Sequence, residues 1–292
     1  MKFPESIEVR DVTLRDGLQN ESIFFETDEK LKGLDQLIAA GYKRIEVTSF
    51  VHPKWVPALR DADELAEHLP LHPDVEYDAL VPNRRGLDRF LNTSIHNAVF
   101  FLSASTLHNQ ANLNKSTDDS LDDIRALIIE AKNKGRKTIG GIATAFVCPY
   151  AGVVPYTEVE KVAERLVTSG IDELGLGDTI GKATPRVVYE YCSRLREKYP
   201  NLALSLHLHD TYGYGLANIL AGLQAGIQSI DVAQAGLGGC PYAPGSPGNI
   251  KASSVASFLE QQNIQTGLDL ARVIELDKAF YELTNRSSAV AK

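Results

Sequence analysis

Apolar residues along this chain fall into two alternating patterns. Eight short segments are apolar and too short for helices: Ile7–Thr13, Arg44–Phe50, Val75–Val81, Ala98–Ala104, Thr138–Val147, Glu173–Gly177, Ala203–His207 and Ser229–Ala233. Rich in Val, Ile, Leu and Phe, they read as strands buried on both faces. Between them the period lengthens. Glu29–Ala40 carries Leu31, Leu34, Leu37 and Ile38 on one stripe, Asp119–Lys134 carries Leu121, Ile124, Leu127, Ile128 and Ala131, and Thr157–Ser169 carries Val159, Val162, Ala163 and Leu166. Each stripe suits a helix lying on a sheet, with Ser120 and Thr157 as candidate N-caps.

Strand and helix thus alternate about every 30 residues, the mark of repeated βα units and a parallel sheet. Eight units favour a closed (β/α)₈ TIM barrel over the rival, a doubly wound open sheet, because polar residues cluster after the strands around the whole series, where one catalytic face would collect them. With no linker, charge block or low-complexity stretch, residues 1–292 read as one domain. The segment from about Thr266 reads as additional C-terminal helices.

The strand ends carry the candidate chemistry. The first runs into Arg15-Asp16-Gly17, a cation and a carboxylate side by side; taken alone, a surface turn explains it. The seventh ends in His207-Leu208-His209-Asp210. Residues two apart on a strand share a side, so His207 and His209 approach one centre, as ligands of a divalent metal must, while Leu206 and Leu208 face the barrel wall. Asp16 from across the barrel and the Asn249 carbonyl complete a mixed N/O set that suits Mg²⁺ or Mn²⁺ and is compatible with Zn²⁺. Asn249 is also a candidate cap for the helix after it. Glu46 lies inside an apolar strand and, as a buried carboxylate, needs a partner; Arg15 is the natural one. Asp178 either orients a ligand histidine or a substrate group, or simply forms a turn. After strand eight, residues 236–249 hold five glycines and three prolines in fourteen positions. That composition fits a flexible lid, and it carries Cys240.

Composition narrows the function class. A formal net charge of −8 argues against nucleic acid as the main partner. Three scattered cysteines, Cys148, Cys192 and Cys240, make no disulfide framework and point to a reducing compartment. No apolar stretch reaches the length of a membrane span, and the N-terminus lacks a leader pattern; a cytoplasmic protein is expected.

The chain resembles the 3-hydroxy-3-methylglutaryl-CoA lyase family of barrel metallolyases from about Ile7 to about Gly267. The resemblance is carried by RDGLQNE (Arg15–Glu21), IEVTSFVHPKWVP (Ile45–Pro57), GDTIG (Gly177–Gly181), HLHDTYG (His207–Gly213) and AGLGGCPYAPGSPGN (Ala235–Asn249). The last, with its cysteine, is the most specific to the lyases. The resemblance implies that Asp16, His207, His209 and Asn249 hold the cation, that Arg15 stabilises an enolate, that Cys240 lies on a catalytic lid, and that acetyl-CoA and acetoacetate are the products. Gln19 and Ser49, inside two of these motifs, join Arg15 as candidate substrate-binding residues, and Glu46 and Asp178 join Arg15 and Cys240 as candidate catalytic ones. An acyl-CoA substrate and a homodimer are the expected partners. Lys54, Arg84, Arg85 and Lys115 are cations that either meet CoA phosphates or are ordinary solvated charges.

Three positions depart from the family pattern: Thr106, Ala151 and Ser253 stand where the lyases carry acids. They keep open a lyase or aldolase acting on a longer 3-hydroxy-3-alkylglutaryl-CoA or a 4-hydroxy-2-oxo acid. A non-catalytic barrel scaffold is the remaining reading.

Overall fold

The computed structural model describes residues 3–21, 23–238 and 248–290. Among them, eight parallel strands close into a barrel in chain order. They are β1 (Glu8–Asp11), β2 (Arg44–Ser49), β3 (Glu76–Leu80), β4 (Asn97–Ser103), β5 (Lys137–Ala143), β6 (Glu173–Asp178), β7 (Ala203–Leu208) and β8 (Ser229–Val232). β1 pairs with both β8 and β2, so the sheet has no edge and the doubly wound alternative is excluded. Helices surround the barrel, and none among the described residues is long and apolar enough to cross a membrane.

All eight apolar segments become strands, with one break. The expected fifth strand stops at Ala143, because Thr144 takes a left-handed φ of 49° and its N–H bonds to Thr179 Oγ1 at 2.8 Å. Val147–Cys148 then pairs antiparallel with Gly152–Val153 as a small hairpin on the rim.

The helices begin earlier than their apolar stripes. Thr117–Asn133 is capped by Ser116, whose Oγ accepts from Asp119 N at 3.1 Å, not by Ser120. Ser120 instead takes Asn109 Nδ2 at 2.8 Å. Tyr156–Thr168 starts after Pro155 with no side-chain cap, so Thr157 is inside it. Beyond the barrel a single described helix, Leu270–Val290, packs against the chain where several were expected.

Two walls differ inside the barrel. On one side β1, β2, β7 and β8 present Arg10, Glu46, His207 and Asp231; facing them, β3 to β6 present Leu80, Val99, Ile139, Gly141 and Gly175. Beneath the polar side lies an ion-paired floor. Arg10 donates to Asp231 at 2.7 Å and to Asp78 and Glu173 at 3.2 Å. Arg44 meets Asp78 at 3.0 Å and Glu173 at 2.5 Å. Burying these charges is tolerable only because each finds partners in fixed geometry.

Candidate active site

The site sits at the C-terminal ends of the strands, as this fold dictates. After β1 the chain makes one wide helical turn, Thr13–Gly17, closed by Gly17 N to Val12 O at 3.1 Å. Wide turns of this kind recur at functional sites, and this one swings Arg15 and Asp16 over the barrel mouth. Opposite, β7 delivers His207 and His209 to one side by its period of two. Asn249 arrives by a different route. Residues 248–251 thread between the ends of β7 and β8, with Asp210 N to Gly248 O at 2.8 Å, Ile250 N to Leu208 O at 3.1 Å and Ala233 N to Ile250 O at 3.2 Å. The cap of the following helix falls at Lys251, so Asn249 is not spent on capping.

One ligand atom from each of Asp16, His207 and His209 lies within 4.8 Å of the other two. Asn249 Nδ2 donates to Asp16 Oδ2 at 2.6 Å and to Leu237 O at 2.9 Å, which leaves its amide oxygen buried without a partner. His209 Nδ1 is likewise buried and unpartnered. A carboxylate and two imidazoles around one point, with an orphaned amide oxygen on the side chain bonded to that carboxylate, fit a hard or borderline divalent cation.

Gly238 makes this packing feasible. Its φ is +99°, and a Cβ there would fall 2.4 Å from Asn249 Nδ2 and 3.0 Å from Asp16 Oδ2. Only a glycine lets the backbone pass that closely.

Arg15 pairs with Asp16 and, at 2.6 Å, with Glu46 Oε2, as expected of a buried strand carboxylate. Its Nε is buried with no partner, while the residue as a whole lines the cavity. Gln19 Nε2 donates to Asp16 Oδ1 at 2.7 Å. Ser49 lines the same cavity, its Oγ accepting Val51 N at 3.2 Å. Asp178 is placed differently: its carboxylate accepts Lys182 N at 3.1 Å and Ala183 N at 2.9 Å, and so forms the turn after β6. The carboxylate against a ligand histidine is Asp231, whose Oδ2 lies 3.1 Å from His207 Nδ1. Cys240 lies outside the described residues.

Electrostatics follow from this geometry. Burial opposes ionisation of Asp16, but Arg15 and the two histidines outweigh it and hold the carboxyl down at about 2. Burial also works against a charge on His207, yet the Asp231 hydrogen bond and the Asp16 charge raise its pKa above the usual value. His209 goes the other way: burial and the neighbouring His207 push it down to about 4. Burial raises Glu46 against the pull of Arg15, and lifts Asp178 to about 6 against its backbone donors.

The cavity measures about 1170 Å³ and runs from Asp16, His207 and His209 out to Trp55, Asn83, Arg84, Asn112 and Lys115. Of the four cations considered from the sequence, Arg84 and Lys115 line it, already paired with Glu130 and Asp123. Lys54 and Arg85 lie off its described lining. So do Thr106, Ala151 and Ser253. Thr106 faces Thr117, with 3.3 Å between hydroxyls; Ala151 N donates to Cys148 Sγ at 3.3 Å; Ser253 N donates to Asp277 at 3.2 Å. All three departures from the family pattern thus lie off the described lining of the cavity.

Sequence reasoning missed Asp231 and Arg10. The signal for Asp231 was available: an acid within the apolar strand Ser229-Ile230-Asp231-Val232 must be paired, exactly the argument that singled out Glu46.

The HMGL-like family model matches residues 6–279. A hydroxymethylglutaryl-CoA lyase of Bacillus subtilis is 43% identical over 278 residues, 95% of this chain and 93% of its own. The human mitochondrial hydroxymethylglutaryl-CoA lyase is 37% identical over 292 residues, 99% of this chain and 90% of its own. Among solved structures, the Bacillus subtilis HMG-CoA lyase matches with a TM-score of 0.95 at 42% identity, covering 98% of this chain and 96% of that one. An HMG-CoA lyase from Acinetobacter baumannii, in complex with coenzyme A and 3-methylmalate, matches with a TM-score of 0.91 at 35% identity, covering 98% and 93%.

Proposed function

The chain belongs to the HMGL-like family, and from that premise we infer that it cleaves 3-hydroxy-3-methylglutaryl-CoA to acetyl-CoA and acetoacetate by retro-Claisen scission. It is a carbon–carbon lyase. The observation that carries the mechanism is the convergence of Asp16, His207 and His209 beside Arg15 at the head of one long cavity.

A divalent cation held by Asp16, His207, His209 and Asn249, with Mg²⁺ or Mn²⁺ preferred over Zn²⁺, would supply Lewis acidity that makes the tertiary hydroxyl easier to deprotonate. Transfer of that proton to a base, water, Asp16 or His207, turns the carbinol into a ketone as the carbon–carbon bond breaks, and the electron pair moves into the thioester enolate. Arg15 answers that charge. Glu46 fixes its guanidinium at the head of the cavity, where it meets the enolate oxygen. A cation already in place in a site shielded from water spends nothing on reorganisation as the charge develops. Gln19 and Ser49 hold the acyl end. Cys240 returns a proton to the enolate carbon, giving the acetyl thioester. Asp178 contributes by shaping the turn behind β7.

The outer arm of the cavity suits the pantetheine chain of an acyl-CoA. A homodimer and cytoplasmic residence belong to the same reading; Cys148 and Cys192, free and buried, fit a reducing compartment. The alternative of a longer 3-alkyl group or a 4-hydroxy-2-oxo acid drew on Thr106, Ala151 and Ser253, and their places off the cavity wall do not favour it.

The test is acetyl-CoA release from 3-hydroxy-3-methylglutaryl-CoA by the purified protein with Mg²⁺ or Mn²⁺ and a reductant. Release that stops on chelation is expected. No release from a folded, metal-loaded protein would refute the reading.

A further inference from the structure

Parallel register sets three residues of adjacent strands in one row: Arg10 of β1 opposite Asp231 of β8, and Asp231 opposite His207 of β7. All three side chains turn into the barrel. Asp231 is 5% exposed and has an oxygen for each neighbour: Oδ1 takes Arg10 Nε at 2.7 Å, and Oδ2 lies 3.1 Å from His207 Nδ1. The other ring nitrogen, Nε2, faces the ligand cluster, 3.9 Å from Asp16 Oδ2. We propose that Asp231 is the positioning residue for His207, fixing which ring nitrogen carries the proton and where the ring points, and that Arg10 fixes Asp231 in turn. The inference rests on the cation-binding reading of the site.

An ionised carboxylate only accepts hydrogen bonds, so it places the neutral ring's N–H at Nδ1 and leaves the Nε2 lone pair for a cation. Arg10 makes the arrangement one-directional. A guanidinium only donates, and this one is also held by Asp78 and Glu173 at 3.2 Å, so it cannot turn away. Whatever stands at position 231 must offer it an acceptor. His209 has no such brace, since its Nδ1 is buried and unpartnered. The two histidines of the pair are thus unequal: one is held from below, the other only by its backbone and its neighbours.

This predicts an unusual outcome for Asp231→Asn, a nearly isosteric change. Arg10 claims the amide oxygen, which leaves the amide N–H₂ facing His207 Nδ1. Two donors cannot face each other, so Nδ1 becomes the acceptor and the ring proton moves to Nε2, where it blocks the cation.

Histidine-selective ¹⁵N NMR at alkaline pH, without metal, reads the tautomer of His207. Titration with Mn²⁺ alone reads affinity. In the wild type the proton is expected on Nδ1. In D231N it is expected on Nε2, with Mn²⁺ affinity weaker by about 10–100-fold, the range for losing such a partner. A wild-type His207 protonated at Nε2 overturns the proposal, whether or not D231N folds. So does a folded D231N that binds Mn²⁺ within about threefold of wild type, far short of that range. A wild type that binds neither Mn²⁺ nor Mg²⁺ refutes the cation-binding reading and this proposal with it. Normal wild-type binding with an unaffected D231N refutes this proposal alone.

Discussion

A methyl group at position 238 would collide with the Asn249 amide at 2.4 Å and the Asp16 carbonyl at 2.9 Å, and would also have to adopt a φ of +99°. Gly238→Ala is therefore expected to push Asn249 and Asp16 apart while leaving the barrel folded. Mn²⁺ affinity should fall at least about tenfold, as for loss of other supporting contacts; unchanged affinity would mean that the backbone shifts freely at no cost to the ligands. The ligands also titrate at different places. Asp16, near 2, and His209, near 4, are already deprotonated over the working range, whereas His207 sits above the usual histidine value. A cation bound by Asp16, His207 and His209 is then expected to displace one proton, from His207. Affinity should be full above the His207 pKa and fall by about tenfold per pH unit below it, down to about pH 4. Calorimetry across buffers of different ionisation enthalpy would count that proton, and a slope of two would contradict the split. At this scale much of the site was legible, because an HxH pair on a strand and an Arg-Asp at a strand end carry their geometry with them. Asp231 was not. An acid in an apolar strand announces that it is paired, but its partner depends on register between strands 24 residues apart.

Element positions were read well and element ends less well. Apolar runs mark which residues must face the core, so strand cores fell in place. A stripe does not mark where a helix begins: Ser120 was the expected cap, and the structure gives that place to Ser116, four residues earlier. The helix Ala252–Gln261 makes the point further, since its N-terminus is served from the last helix. Asp277 accepts Ser253 N at 3.2 Å and Ala235 N at 2.6 Å, holding both sides of the segment that carries Asn249. Position 235, an alanine at φ 55°, has no glycine to ease it and relies on that bond. Asp277→Ala should cost about 1–2 kcal/mol of stability, the scale of a lost cap, readable by chemical denaturation. A neutral result would show that water replaces the carboxylate at both amides.

Across the whole molecule, closure of the barrel was legible from counting βα units, and the family from motifs spread over five strand ends. What the three departures meant was not. Thr106 stands two residues before His108 of the cavity lining and Ser253 four after Asn249, and only the folded structure shows that these two and Ala151 lie off that lining. The ion-paired floor has its own consequence. Arg10, Arg44, Asp78 and Glu173 are all buried and tied to one another, so the end of the barrel opposite the strand tips is plugged. Among the described residues the vessel has one mouth. A substrate enters acyl end first and its long carrier fills the entrance behind it. Under the proposed function, the carrier-borne fragment would stand between its twin and solvent once the bond is cut, so acetyl-CoA is expected to depart before acetoacetate, an order that product-inhibition kinetics would read.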